Sequence, residues 1–326
     1  YPVPASRYHH WVVADKGRNF VMNIISTIVP IFIIIFLGLF AKQRGFITPD
    51  FLHQGNRIVY YIAVPAMIFS SISKAALKTQ MNLAVILITL VSLLAIAVAG
   101  LGAARFLNMT RPSKGSFIHC SFHGNIGYIG LAVVFYYLGE SGFVKAAILS
   151  GFVMILQNIM AVIVLQYHSR NDKNRPKMFD TMKKTMANPV ILSAVSGMLF
   201  SLFNIPIPLI IDRSLHILTG MALPLALLII GASLSFEKLK PRFLAVLISS
   251  FLKVIVTPAI GIVLFKFLSV PSSDYLPGLI LLAAPTATLT YIMAKEIGGD
   301  PDFAVAAISI CTILSGLSYG LWLSIV

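Results

Sequence analysis

Residues 123–130 read HGNIGYIG and residues 283–291 read AAPTATLTY, and both stretches interrupt long apolar runs. In the first, Asn125 offers a neutral amide beside Gly124, Gly127 and Gly130, which tolerate extended or left-handed backbone and let another backbone approach closely. In the second, Pro285 has no N–H and its ring clashes with the turn before it, so it frees carbonyl groups and breaks a helix. Thr286, Thr288 and Thr290 follow it with hydroxyls. A half-helix that begins beyond such a break presents free N–H groups and the positive end of its dipole, which suits a carboxylate. Glycine and proline also occur in ordinary spanning helices, where they mark close packing. Two interruptions at matching depth favour a crossed, unwound binding site instead. Its candidate substrate ligands are Asn125, Gly127, Tyr128, Pro285, Thr286 and Thr288.

Other polar groups sit in apolar surroundings. Lys253 lies within SSFLKVIVTP, too deep to reach the interface easily, and reads either as an attractor of anions or as a structural cation pairing with carbonyls. His119 and His123 are four apart and share one helix face. They either titrate during turnover or stay neutral and hydrogen-bonded. As a metal pair they lack further ligands, so no metal and no cofactor is expected. Gln157 and Asn158 are adjacent amides, of which at most one can face a cavity squarely. Ser70 and Ser71 are expected either to line the cavity from the opposite side or to bond back to their own helix. All eleven acids lie in loops or near span ends, which excludes the buried carboxylate of many cation-coupled carriers.

The elements that must hold these groups are membrane spans. Of 326 residues, 58% are hydrophobic and only 11% charged, against about 25% charged in soluble domains, and the mean hydropathy is +0.89. Ten apolar runs fall near 24–41, 58–73, 83–104, 116–138, 145–166, 189–203, 215–235, 243–265, 276–294 and 303–325, and several reach the length of about 20 residues that a bilayer crossing needs. The net charge of +14 belongs to the short loops between them, with no basic stripe or aromatic platform for nucleic acid. Loops after the odd-numbered runs hold 16 lysines and arginines and the others 5, which places the odd loops in the cytoplasm and both termini outside. Cys120 and Cys311 suggest no disulfide framework. Residues 1–21 read as a poorly structured segment, or one foreign to the native chain, ahead of a plausible start at Met22. They do not resemble a signal peptide.

The chain also repeats itself. An offset of 159 pairs Pro30 with Pro189, Pro49 with Pro208, Ala63 with Ala222 and Pro65 with Pro224. An offset of 160 pairs FVKAAI (143–148) with FAVAAI (303–308), and sets Asn125 on Pro285. The reading is an all-α membrane protein of ten transmembrane helices, with a first five-helix repeat at 22–166, a basic cytoplasmic linker at 167–188 and a second repeat at 189–326. An odd number of spans per copy inverts one copy relative to the other, an architecture common among secondary transporters. The fourth and ninth helices are the broken pair.

NRIVYYIAVPAMIFSSIS (56–73), NIGYIG (125–130) and APTATLTYIMAKEIGGD (284–300) together resemble the auxin efflux carrier family, which includes plant PIN proteins and bacterial malate-permease-like carriers. The resemblance runs over about residues 22–326. It implies two inverted five-helix repeats divided into a scaffold and a transport part, broken helices 4 and 9 crossing at an organic-anion site, and an elevator-like movement. It also favours a ligand role for Gln157 or Asn158 and leans toward a homodimer. The chain departs from plant members in lacking an acid within the transport part. The expected function is a secondary carrier of a small organic anion, such as malate or another weak acid, in a bacterial-type inner membrane. A sensor that binds the anion without moving it is the alternative, and no enzyme constellation is present.

Overall fold

A computed structural model of the chain describes residues 6–75, 80, 82–169, 183 and 187–326, with side chains from residue 22 onward except that of Pro241. Most of the basic linker expected at 167–188 lies outside the described residues, as do residues 1–5 of the N-terminal segment. Among the described residues the chain is all-helical and forms no strand. The described residues form thirteen α-helices, in order: α1 Ser6–Gln43, α2 Pro49–Ile58, α3 Val64–Ser73, α4 Leu83–Phe106, α5 Arg111–Phe122, α6 Leu131–His168, α7 Pro189–Leu202, α8 Leu209–Ser233, α9 Phe243–Phe251, α10 Thr257–Phe267, α11 Ser272–Ala283, α12 Leu289–Ile297 and α13 Pro301–Ile325.

Six segments among the described residues are long and apolar enough to cross a bilayer: Met22–Gln43, Leu83–Phe106, Ile126–His168, Leu209–Ser233, Phe243–Phe267 and Pro301–Ile325. Large apolar side chains such as Ile33, Val98, Ile217, Val263 and Leu317 stand exposed on them. In water such patches would drive aggregation; against lipid tails they are solvated. The molecule is a multi-pass membrane protein.

Ile126–His168 is 43 residues long, roughly twice the ~20 that one crossing needs. Gly139 divides it, with φ 68° and ψ −165°, a conformation that only glycine adopts readily. The chain doubles back there, because the Gln157 amide reaches the Phe122 carbonyl and Met154 lies beside Gly127. A straight helix would carry Met154 about 40 Å from Gly127, at 1.5 Å per residue.

Small residues set the closest helix contacts. A Cβ on Gly38 would strike the Leu228 carbonyl, and one on Gly231 would strike the Ile35 carbonyl, so α1 and α8 touch backbone to backbone. A Cβ on Gly197 of α7 would sit 3.1 Å from Ile72 Cβ and 3.3 Å from the Phe69 carbonyl of α3. Two of the prolines, Pro65 and Pro258, follow single π-turns. The turn Leu252–Val256 precedes Pro258, whose missing N–H leaves the Val254 carbonyl without its helical donor. Ser318 Oγ at 2.7 Å and Trp322 Nε1 at 2.9 Å donate to that carbonyl instead.

At one membrane edge Lys145 Nζ donates to Asp274 Oδ1 at 2.9 Å, and Asn82 Nδ2 donates to Oδ2 at 3.1 Å, joining α6, α11 and the start of α4. The hydrogen bond from Lys145 holds the Asp274 carboxyl below its usual range, against the smaller, opposing effect of burial. A carboxyl depressed in the folded state stabilises above its unfolded value of about 3.9 and loses that contribution as pH falls through the lower folded value. Below about pH 4 the thermal midpoint of the wild type is therefore expected to fall more steeply than that of Asp274→Asn. Parallel slopes would show that this partly exposed pair contributes nothing, as many such pairs do.

Candidate binding site

Helix α5 stops at Phe122 and α11 at Ala283, both deep in the protein. Beyond the stops, residues 123–125 and 284–287 run antiparallel and bond to each other. Asn125 N–H donates to the Pro285 carbonyl at 2.6 Å, and Ala287 N–H donates to the His123 carbonyl at 2.9 Å, with Gly124 opposite Thr286. A reciprocal bond from residue 285 cannot form, since proline has no N–H. The Asn125 carbonyl accepts from Gly130 N–H at 3.0 Å instead. Each chain resumes as helix directly beyond the crossing, as the π-turn Ile126–Gly130 leading into α6 and as α12.

Backbone groups freed by a break cannot be left bare at membrane depth, where each would cost several kcal/mol. Their partners can be named. The Phe122 carbonyl accepts from Gln157 Nε2 at 3.1 Å, and the Leu282 carbonyl from Lys253 Nζ at 2.7 Å. The Cys120 carbonyl accepts from Thr286 Oγ1 at 3.0 Å, the Ile280 carbonyl from Tyr319 OH at 3.3 Å, and Thr286 N–H points at Cys311 Sγ at 3.3 Å. The crossing is thus a closed hydrogen-bonded unit of α5, α6, α11, α13 and the π-turn before α10.

Three side-chain atoms at its edge keep no partner among the described residues although buried: Asn125 Nδ2, Gln157 Oε1 and His119 Nδ1. Asn125 is 6% exposed and lies in the wall of a cavity of about 620 Å³. Gly127, Tyr128, Gln157, Asn158, Thr288 and His123 line the same cavity, so seven of the residues singled out by sequence meet there. Both adjacent amides, Gln157 and Asn158, contribute to the wall. His119 stands one layer behind, its Nε2 2.8 Å from His123 Nδ1. Thr286 and Pro285 form the crossing itself and do not line the cavity. Ser70 and Ser71 lie on α3 away from it. Lys253 is fully buried behind the crossing.

The cavity's other wall consists of residues that sequence reasoning did not single out: His53, Asn56, Arg57 and Tyr60 from α2 and the turn after it, Asn188 before α7, and Glu296 at the end of α12. Tyr128 OH donates to Asn56 Oδ1 at 2.9 Å, joining the two walls. A second cavity of about 740 Å³ adjoins the first at Tyr128, Asn56 and Thr288 and carries Lys42 and Lys295 on its wall. The only hint in the sequence was NRIVYY (56–61), a polar start to an apolar run. Chemically, the chamber offers amides, hydroxyls and N–H groups to a small polar ligand, with no carboxylate at the crossing itself.

Residues 23–323 match the family model described as Membrane transport protein. An uncharacterized transporter of Methanocaldococcus jannaschii is 26% identical over 91% of this chain and 97% of its own length. A protein of Rhizobium meliloti named "Putative malonate transporter" is 23% identical over 90% of this chain and 92% of its own. Uncharacterized transporter YfdV of Escherichia coli K12 is 23% identical over 92% and 96%. With helices long and apolar enough to cross a membrane and a polar chamber where two other helices break off, the chain belongs to the Membrane transport protein family, that of the auxin efflux carriers its motifs resemble, and is a transporter rather than an enzyme.

Proposed function

We propose that the protein is a secondary carrier of small carboxylates that binds its substrate at the crossing of the two broken helices. The observation that carries this reading is Asn125 Nδ2: a buried donor without a partner among the described residues, in the wall of a cavity, between the starts of two helical segments. A buried donor left unmade costs about 1–3 kcal/mol, and a carboxylate oxygen at that place would satisfy it. Helix starts at Ile126 and Leu289 add positive dipole ends. Arg57 on the first cavity and Lys42 and Lys295 on the second would draw anions inward, outnumbering the one nearby acid, Glu296. The name of the Rhizobium meliloti relative points to a dicarboxylate, so malonate is the natural first probe.

Alternating access follows from a ten-helix, inverted-repeat architecture, which the internal contacts support. The contact of Gly38 with the Leu228 carbonyl and that of Gly197 with the Phe69 carbonyl are related by 159 at both members. The two capped carbonyls, Phe122 and Leu282, are related by 160. Helices α1, α3, α7 and α8, locked by those glycine contacts, would be the scaffold, and the crossing unit would slide against it as an elevator. Tyr128 and Asn56 bridge the two parts. Basic loops facing the cytoplasm put both termini outside and open the cavity inward. In proteoliposomes, uptake of labelled malonate is expected to saturate and to accelerate when unlabelled malonate is loaded inside. Binding without such counterflow would make the protein a sensor.

A further inference from the structure

Lys253 has a structural job, but that job does not need a charge. The two broken helices end on equivalent carbonyls, Phe122 and Leu282, and each receives one side-chain donor. At Phe122 the donor is the neutral amide of Gln157; at Leu282 it is an ammonium. A cation at a helix C-terminus is favourable, yet the same capping is done without one on the other side. Burying an unpaired charge is expensive, and among the described residues no carboxylate lies within ion-pair distance of Lys253. The positive charge therefore needs a further reason.

Its position supplies one. A Cβ on Gly124 would lie 3.1 Å from Lys253 Cε and 3.2 Å from Nζ, and Gly124 lines the binding cavity. The ammonium thus lies beside a glycine of the chamber wall. The field of the charge crosses that wall in a poorly screened interior, where charges act over several ångströms. The ammonium also takes up the Leu282 carbonyl, an oxygen of the kind that ligates metal cations, and its charge would repel such an ion.

We propose that Lys253 is the carrier's resident counter-charge: it selects carboxylates over their neutral isosteres and takes the place of a coupling metal cation behind the crossing. This deepens the carboxylate-carrier reading and rests on it. Lys253 touches no substrate and acts through the field at Gly124, as a specificity-determining residue.

The test measures binding to the purified full chain by thermal shift and calorimetry. The probes are malonate, succinate and acetate, each paired with its neutral amide, with and without sodium. The wild type is expected to bind the best carboxylate equally well without sodium and to bind the matching amide far more weakly. Lys253→Met is expected to weaken carboxylate binding by about tenfold or more and leave amide binding nearly unchanged, while Lys253→Arg retains the preference. Unchanged carboxylate binding in Lys253→Met overturns the proposal. So does a sodium requirement, or equal binding of acid and amide, in the wild type. Those two wild-type measurements decide the matter even if Lys253→Met fails to fold. Loss of binding in Asn125→Ala beside unchanged binding in Lys253→Met would remove the counter-charge alone. No binding of any carboxylate by the wild type would remove the carrier reading with it.

Discussion

Asn125→Ala is expected to lower carboxylate uptake by about 10- to 100-fold while leaving the unliganded protein at least as stable as the wild type. The two halves of this result come from one atom. A hydrogen bond to a charged group contributes about 1.5–3 kcal/mol, which corresponds to the stated loss. Without ligand the same Nδ2 is a buried donor with no partner among the described residues, so removing it takes away a cost of about 1–3 kcal/mol, offset by the small space left behind. An ordinary structural asparagine behaves the other way, because its loss unfolds the protein and function falls only as a consequence. Uptake into proteoliposomes and the thermal midpoint of the same preparation separate the two. If uptake is unchanged in a well-folded variant, Asn125 is not a ligand. If uptake and midpoint fall together, its role is to hold the crossing.

The interruptions that carry this prediction were visible in the sequence because glycine and proline act locally. Pro285 removes a helical N–H donor whatever surrounds it, and HGNIGYIG cannot run as an undisturbed helix. The matching depth of the two breaks followed from counting residues. The sequence could not show how the breaks satisfy each other. That Thr286 would donate to Cys120, 166 residues away, or Lys253 to Leu282, is a matter of tertiary arrangement. The same limit explains the cavity. Asn125, Tyr128, Gln157 and Thr288 stood out as polar groups in apolar runs, whereas His53, Asn56 and Arg57 belong to the amphipathic α2 and looked like loop residues. Pro285 and Thr286 show the reverse case: both mark the site, yet their own groups go into building the crossing.

A second large effect is expected at Gly231, through the fold rather than the site. Helices in a bilayer gain no hydrophobic energy by pairing, since lipid is as apolar as leucine, so close packing has to hold them together. At Gly231 the neighbour is backbone: a Cβ there would collide with the Ile35 carbonyl oxygen, and would come within 2.7 Å of its carbon and 3.0 Å of the Leu39 nitrogen. Backbone cannot rotate aside as a side chain does. Overpacking in a well-packed core costs about 1–3 kcal/mol when side chains can adjust, and more is expected where α1 and α8 must separate. Gly231→Ala should therefore yield little monodisperse protein, and Gly38→Ala, against the Leu228 carbonyl, nearly as little. Gly197→Ala should be milder, because its nearest atom is Ile72 Cβ at 3.1 Å. Gly220 lies on the same helix as Gly231 with nothing within 4 Å of its Cβ, so Gly220→Ala should gain up to about 1 kcal/mol from helix propensity. Size-exclusion profiles and thermal midpoints of the four variants test that order. A Gly231→Ala protein as stable as Gly220→Ala would mean that α1 and α8 do not touch at Ile35, and would remove the support that the glycine contacts give to a rigid scaffold.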